Sequence, residues 1–268
     1  MIAALPGIQF GYDESGYGLP VVLLHGFPHD RSVWSAQRVA LADRVRCIVP
    51  DLRGFGDSST HGPYSMDQYA DDVVHLLDWL SVESTVICGL SMGGYIAMAL
   101  WRRHPERVRA LVLCDTRMGA DTPETRTARE AMMLLARREG ARAIAEQQIA
   151  GMVGKTTRER RPDVVNHIRT VMARQSVAGI VGALQALRDR PDSRETLRTV
   201  SVPTLVLVGE EDVLTPVAEA RAMAEVLPSV ARVRMEIIAG AGHVTCVERP
   251  SATTHALADF FATLSHSE

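Results

Sequence analysis

The sequence predicts an α/β protein with a mostly parallel sheet and helices on both faces. Short, continuously apolar runs, typical of strands buried on both faces, alternate with segments of helical periodicity. This alternation stops between residues 117 and 199, where only helical periodicity is found, and it resumes afterwards. A strand-free segment inside an alternating chain predicts a helical insertion over the carboxyl edge of the sheet.

We therefore expect a core made of residues 1–116 and 200–268 and a helical cap made of residues 117–199. Apolar runs predict strands at 8–12, 20–24, 45–49, 84–87, 108–114, 202–209 and 232–238. Helices are predicted at 34–41, 65–80, 95–100, 216–227 and 250–264, with Ser65 as the N-cap of the second. The turn-forming residues 13–16 predict a hairpin between the first two strands.

Methionine and leucine side chains recur at helical spacing along the predicted cap. Such stripes usually pack into a core, although some of their members can also face a substrate. The candidates for the substrate pocket are Met132, Met133, Met152 and Met172. Periodicity does not choose among them.

Composition and charge limit the classes of function. Of the 268 residues, 46% are hydrophobic and 23% are charged, as in an ordinary globular protein. A net charge of -3 and a pI near 6.3 provide no electrostatic basis for binding nucleic acid or an anionic membrane. No apolar run approaches the roughly 20 residues that span a bilayer. We expect no nucleic-acid partner and no membrane partner.

The cysteines and the N-terminus predict a cytoplasmic protein. Residues 1–6 lack the basic start of a signal peptide. Cys47, Cys88, Cys114 and Cys246 show no C-x-x-C spacing, so buried and reduced thiols are expected. We expect a monomer or a small homo-oligomer.

The turn around Ser91 is the feature that points to chemistry. Gly89, Ser91 and Gly93 match G-x-S-x-G, the nucleophile elbow, in which a sharp strand-to-helix turn exposes a serine. The flanking glycines avoid the clashes that a Cβ would make in such a turn. Because a strand pattern precedes the motif and a helix pattern follows it, Ser91 is the predicted nucleophile.

A serine hydroxyl needs a base, and the base needs an orienting carboxylate. His243, in a Gly-rich loop after the last strand, is the predicted base; as a mere surface histidine it would leave the serine without a partner. Asp212, which follows the penultimate strand, is the predicted acid. Asp115, at the end of an earlier strand, is the other candidate for the acid. We favour a structural role for Asp115, as a hydrogen-bonded residue of a turn. Glu210 and Glu211 are expected to face solvent.

Acyl transfer also needs donors for the tetrahedral oxyanion. In an elbow of this kind, one backbone N–H comes from the residue after the serine, Met92, and the other from the loop after an earlier strand, here Phe27. The Phe27 ring is also a candidate wall of the substrate pocket. His25 is expected to hold this loop, since one general base is enough.

We expect neither a cofactor nor a metal. Residues 51–58 contain glycines and carboxylates but no G-x-x-x-x-G-K, which indicates a structural loop. No G-x-G-x-x-G follows the first strand, and no His, Cys or Asp cluster has the spacing of metal ligands.

Taken together, these residues resemble the α/β-hydrolase superfamily over nearly the whole chain. The stretches that are similar to small bacterial carboxylesterases and to their relatives, the 3-oxoadipate enol-lactonases, are 25–28, 51–58, 89–95 and 114–117. The resemblance implies an eight-stranded, mostly parallel sheet, a helical cap and hydrolysis through an acyl-enzyme. It places Ser91, Asp212 and His243 at the triad positions. It places Phe27 and Met92 at the oxyanion positions.

The leading hypothesis is a carboxylic ester hydrolase that acts on small, short-acyl esters. The alternative is an enol-lactone hydrolase, whose substrate carries a carboxylate and requires an arginine that faces the pocket. Perhydrolysis, with peroxide in place of water at the acyl-enzyme, is an expected side activity. A non-catalytic binding protein can use the same fold, but the intact triad pattern argues against it. The expected partner is therefore a small-molecule ester or lactone.

Overall fold

Eight strands form one sheet at the centre of the structure, a computed structural model that describes residues 1–5 and 7–264. In chain order they are β1 (Ile2–Leu5), β2 (Ile8–Ser15), β3 (Pro20–Leu24), β4 (Arg46–Pro50), β5 (Thr85–Leu90), β6 (Val108–Cys114), β7 (Thr204–Gly209) and β8 (Arg234–Ile238). Their order across the sheet is β1-β2-β4-β3-β5-β6-β7-β8. The two pairs formed by β2 are antiparallel, and the other pairs are parallel. This confirms the predicted eight-stranded, mostly parallel sheet.

The predicted hairpin between the strands at 8–12 and 20–24 is wrong. β2 pairs with β1 and β4, whereas β3 pairs with β4 and β5, so β4 lies between the two strands. Turn residues show where a chain can reverse, but not which strand fills the neighbouring position. The hairpin is formed instead by β2 and the four-residue β1, which is too short to show a strand pattern.

The helices surround this sheet. They are α1 (Ser35–Ala40), α2 (Met66–Trp79), α3 (Met92–Arg103), α4 (Pro123–Met152), α5 (Lys155–Arg160), α6 (Pro162–Ala173), α7 (Val177–Asp189), α8 (Arg194–Arg198), α9 (Val217–Val226), α10 (Thr245–Glu248) and α11 (Pro250–Leu264). Ser65 caps α2, because its Oγ accepts a hydrogen bond from the N–H of Gln68 at 3.0 Å. Within residues 1–5 and 7–264, no helix is long and apolar enough to cross a membrane.

Helices α4 to α8 all lie between β6 and β7, in the segment where the sequence predicts the cap. The longest of them, α4, is interrupted at Gly140, whose φ of 81° is one that glycine adopts readily. We refer to residues 117–199 as the cap segment.

Both faces of the sheet are covered by apolar clusters, which explains the continuously apolar strands. Val22 and Leu24 of β3 belong to one cluster, whereas Val21 and Leu23 belong to the other. Successive side chains of a strand point to opposite faces, so a strand between two clusters has no polar face. All four cysteines are buried and free.

The topology brings the predicted site residues to one edge of the sheet. β5, β6, β7 and β8 are parallel neighbours, so their carboxyl ends lie side by side. Ser91 and Asp115 directly follow two of these strands, and Asp212 and His243 lie in the loops after the other two. This edge is where ligands bind in open α/β sheets.

Candidate active site

Ser91 occupies a strained turn between β5 and α3. Its φ of 53° lies in the left-handed region, which is rare for a residue with a side chain and is typical of functional sites. A Cβ on Gly89 would lie 2.2 Å from the carbonyl oxygen of Gly93, and one on Gly93 would lie 2.5 Å from the carbonyl oxygen of Leu24. The two glycines of the motif are therefore required by close backbone contacts.

Two hydrogen bonds connect the serine to a base and the base to a carboxylate. The Nε2 atom of His243 lies 2.8 Å from the Oγ of Ser91, and its Nδ1 lies 2.8 Å from the Oδ2 of Asp212. Because an ionised carboxylate can only accept, Nδ1 carries the hydrogen and donates a hydrogen bond to Asp212. Nε2 is then free to accept the hydrogen bond of the serine hydroxyl.

The electrostatics of this series favour an ionised acid and a basic imidazole. Burial raises the pKa of Asp212, but His243 and the hydrogen bonds from Thr215 outweigh burial, so the pKa of this carboxyl is lowered. Burial lowers the pKa of His243, but Asp212, with Asp115 and Glu248, outweighs burial and raises it. The histidine is therefore a stronger base than an ordinary buried imidazole.

Asp115 lies at the same edge but is bonded differently. Its Oδ1 accepts from the N–H of Gly209 at 2.9 Å, and its Oδ2 accepts from the N–H and the hydroxyl of Thr245 at 3.3 and 2.7 Å. Among its described hydrogen bonds, none is with His243. Asp115 thus joins the end of β7 to the start of α10, as expected for the hydrogen-bonded turn residue favoured from the sequence.

The loop after β3 lies against the serine turn. A Cβ on Gly26 would lie 3.1 Å from the Cβ of Ser91. The buried His25 holds this loop, because its Nδ1 donates to the carbonyl of Gly26 at 2.9 Å and its Nε2 accepts from the N–H of Leu52 at 2.9 Å. Burial lowers the pKa of His25, so the ring is neutral and both its nitrogens are occupied.

The two predicted oxyanion donors directly follow the two residues of this contact in the sequence. Phe27 follows Gly26 in the loop, and Met92 is the first residue of α3, whose N–H has no partner within the helix. In the part of the chain that the structure describes, neither N–H donates to a protein acceptor.

A cavity of about 90 Å³ opens beside the serine. The residues that line this serine cavity are Phe27, Ser91, Tyr95, Arg117, Arg129, Gln148, Met152, Leu187, Leu214, Thr215 and His243. Of the pocket residues suggested by the sequence, Phe27 and Met152 line it. Met132 and Met133 pack against an apolar cluster on one side of the sheet, and Met172 is fully buried in the cluster on the other side.

Most of the residues that line the serine cavity were not predicted from the sequence. Arg117 carried a signal, because it follows β6 closely and so had to lie near the carboxyl edge. Arg129 and Gln148 of α4 and Leu187 of α7 carried none, since helical periodicity does not show which residues of a cap helix face the serine.

Residues at the end of α4 and the start of α5 are hydrogen-bonded to the loops that carry the predicted base and the predicted acid. The N–H of His243 donates to the carbonyl of Met152 at 3.2 Å. The buried Glu248 accepts from the N–H of Gly154 at 2.8 Å, and also from the two N–H groups that flank the base, at 2.9 and 3.2 Å. Glu211 accepts from the N–H of Thr156 at 2.7 Å, so it is not the free surface charge that we expected.

A larger polar cleft of about 430 Å³ lies outside this site. The loop at 51–58 forms part of the wall of this cleft. The two buried carboxylates of the cleft are paired with arginines, Asp30 with Arg174 and Asp51 with Arg31. Neither the serine nor the base lines it. Among residues 1–5 and 7–264, no group of three or more His, Cys, Asp or Glu side chains is arranged to hold a metal ion.

Comparisons with known proteins identify the family of this chain. A family model described as alpha/beta hydrolase fold matches residues 20–250. The 3-oxoadipate enol-lactonase 2 of Acinetobacter baylyi is 32% identical over 227 residues, which cover 84% of this chain and 82% of that protein.

Two solved structures extend the similarity to nearly the whole chain. A thermophilic esterase from Thermogutta terrifontis, in a malate-bound form, has a TM-score of 0.93 at 39% identity and covers 98% of this chain and 97% of its own. The enol-lactonase from Burkholderia xenovorans LB400 has a TM-score of 0.90 at 31% identity and covers 98% of this chain and 100% of its own.

Proposed function

Because the chain belongs to the α/β-hydrolase family, we propose that it hydrolyses small carboxylic esters through an acyl-enzyme formed on Ser91. The observation that carries this proposal is the hydrogen-bonded series of Ser91, His243 and Asp212, with both bonds 2.8 Å long, at the wall of the serine cavity. A base held in this way activates a serine hydroxyl at neutral pH.

In the acylation half, the Ser91 oxygen attacks the ester carbonyl while its proton moves to Nε2 of His243. Asp212 keeps the imidazole in the required tautomer and stabilises the imidazolium. The N–H groups of Phe27 and Met92 stabilise the oxyanion of the tetrahedral intermediate. The intermediate then collapses, the bond to the leaving oxygen breaks, and the imidazolium gives its proton to that oxygen, so an alcohol leaves.

In the deacylation half, a water molecule takes the place of the alcohol. His243 accepts a proton from the water as the water oxygen attacks the acyl carbon, and the same two N–H groups bind the second oxyanion. When this intermediate collapses, the proton returns to Ser91 and the carboxylic acid leaves. The serine cavity measures about 90 Å³, which favours short acyl groups beside the serine.

Lactone hydrolysis is the second candidate function. The steps are the same, except that the leaving alcohol stays attached to the acyl group and departs with it. Two observations favour it: relatives named as enol-lactonases, and two arginines, Arg117 and Arg129, in the serine cavity.

Initial rates on p-nitrophenyl esters from acetate to dodecanoate test the proposal. We expect a maximum at short chains and a loss of at least about 10³-fold in kcat for Ser91→Ala, because the nucleophile is removed. The control is Ser251→Ala, which removes an exposed hydroxyl on α11 and should keep full activity. A Ser91→Ala enzyme that is as active as the wild type would exclude the mechanism. A correctly folded wild type without turnover on esters or lactones would favour a binding protein.

A further inference from the structure

Two consecutive residues of the cap segment bond the two core loops that surround Phe27. Arg174 and Gln175 belong to the turn between α6 and α7. The first core loop, residues 25–30, carries Phe27 itself, and the second is the loop at 51–58. Residues of the turn and of both loops line the polar cleft of about 430 Å³. This cleft is therefore the junction between the cap segment and the loop of one predicted oxyanion donor.

Asp30, at the far end of the Phe27 loop, is bonded to the cap segment. Its buried carboxylate accepts from Nε and Nη2 of Arg174 at 2.8 and 2.7 Å, and from Nε2 of Gln175 at 2.7 Å. Burial raises the pKa of Asp30, but the hydrogen bonds from Ser32, Arg174 and Gln175 outweigh burial and lower it to about 2. The carboxylate is thus ionised, and charge-assisted hydrogen bonds are the stronger ones in proteins.

Gln175 connects this end of the Phe27 loop to the second core loop. Its side chain is buried, and while Nε2 donates to Asp30, Oε1 accepts from the N–H of Gly56 at 3.1 Å. Gly56 follows Phe55, whose ring lies edge-on to the ring of Phe27, with 6.3 Å between the ring centroids. One amide thus contacts both the loop on which Phe27 lies and the loop against which its ring packs.

The core holds the remaining parts of the Phe27 loop. His25 fixes its start, and directly after its end the N–H of Arg31 donates to Asp51 at 2.8 Å. The loop is also tightly packed, because a Cβ on Gly26 would lie only 3.2 Å from the carbonyl oxygen of Leu90. Loss of the cap contacts would therefore shift this loop slightly and would not release it.

From these contacts we propose that Gln175 of the cap segment is a positioning residue for the oxyanion hole. Through Asp30 and Gly56 it fixes the place of the Phe27 N–H. This proposal rests on the proposed ester hydrolysis, in which that N–H stabilises the oxyanion. An oxyanion donor is effective at about 2.7–3.1 Å from the oxyanion, and a misplacement of about 1 Å can cost about 10²-fold in rate. Since the core anchors limit the shift, we expect a smaller loss.

Gln175→Met tests the proposal, because methionine has a similar shape but lacks the amide. We expect kcat on p-nitrophenyl acetate to fall by at least about tenfold while KM stays within about twofold, since the lost interaction forms in the transition state. The acid-side midpoint of the pH profile of kcat/KM should not move, because none of the described hydrogen bonds of Gln175 is with the base. Gln147→Met changes an exposed glutamine of α4 outside the serine cavity and should keep the wild-type kcat.

Trifluoroacetone probes the oxyanion hole without turnover. The Ser91 oxygen adds to the ketone carbon, the serine proton moves to Nε2 of His243, and the ketone oxygen becomes an oxyanion. The Kd of this adduct, measured by fluorine NMR, should rise in Gln175→Met by about the same factor as kcat falls. If Gln175→Met does not fold, Arg174→Gln replaces it, since Arg174 is exposed; here we expect a smaller rise in Kd, of about threefold.

The outcomes separate this proposal from ester hydrolysis itself. A folded Gln175→Met enzyme with the wild-type kcat and the wild-type Kd would overturn the positioning role and leave ester hydrolysis intact. A lower kcat with an unchanged Kd would also overturn this role, since general damage to the site would then explain the loss. If the wild type cleaves no ester but the Kd still rises in Gln175→Met, the hydrolase is rejected and the positioning role is kept. Absence of any adduct in the wild type would overturn both proposals.

Discussion

Replacing Asp212 with asparagine tests how the acid orients the base. The Oδ1 atom of Asp212 accepts from the N–H groups of Leu214 and Thr215 at 2.8 and 3.0 Å. Its Oδ2 accepts from the Thr215 hydroxyl at 2.6 Å and from Nδ1 of His243 at 2.8 Å. In Asp212→Asn the two backbone donors fix the side chain, because only the amide oxygen can accept from them. The amide nitrogen must then face the imidazole.

This orientation predicts a large loss of rate. An amide N–H that faces Nδ1 stabilises the tautomer with its proton on Nε2, and that nitrogen can no longer accept the proton of Ser91. In serine proteases the same exchange lowers kcat by about 10⁴ through the wrong tautomer. We expect a similar loss here, about 5 kcal/mol in activation free energy, with little change in the free energy of unfolding.

The assay is kcat on p-nitrophenyl acetate, with two further variants. Glu210→Gln changes an exposed carboxylate of the same loop, which bonds only the N–H of Gly240 among the described residues, and should stay within about twofold of the wild type. Asp115→Asn tests the rival acid. If Asp212→Asn keeps more than about a tenth of the wild-type rate while Asp115→Asn loses about 10³-fold or more, the reasoning is refuted and Asp115 is the acid.

Two further predictions concern the same loops. Asp212 raises the pKa of His243 above its ordinary value of 6.5, with smaller contributions from Asp115 and Glu248. We therefore expect kcat/KM to fall as the pH decreases, because the base becomes protonated, and the midpoint of this fall should lie above pH 6.5. A pH–rate profile with a midpoint below 6.5 would contradict this prediction. Glu248→Ala leaves three buried N–H groups unpaired, so the free energy of unfolding, measured in urea, should fall by about 3 kcal/mol or more. The loss should be smaller in Glu248→Gln, because this variant keeps one oxygen acceptor. A loss below about 1 kcal/mol in Glu248→Ala would show that water replaces the carboxylate.

The part of the fold that follows from local pattern could be predicted from the sequence. Strands buried between two apolar clusters have no polar face, so β3 and β5 appear in the sequence as continuous apolar runs. Their parallel arrangement places the ends of neighbouring strands together, which made Ser91, Asp212 and His243 candidates for one site. The assignment of roles to these three residues remains a proposal that the experiments above test.

Other features depend on contacts that no local pattern encodes. Asp115 and Asp212 both lie at the carboxyl edge, and only their hydrogen-bond partners distinguish them. Asp115 accepts a hydrogen bond from Thr245, whereas Asp212 accepts one from His243. Glu248 lies on a short helix after the base, and nothing in its position along the chain shows that it bonds Gly154. The β2–β3 hairpin was mispredicted for a related reason, since β4 is inserted between two strands that are adjacent in the sequence.

The hydrogen bonds at the junction of α4 and α5 have a consequence for grafting experiments. Met152, Gly154 and Thr156 belong to the cap segment by sequence, yet they bond His243, Glu248 and Glu211 of the core. A chimera that takes all of residues 117–199 from a relative would bring foreign partners to the loops that carry His243 and Glu211. A chimera that exchanges residues 123–151 would keep them and would still replace Arg129 and Gln148. The part of the cap segment that lines the serine cavity can thus be exchanged without changing the hydrogen bonds to His243, Glu248 and Glu211 only if the join lies before Met152.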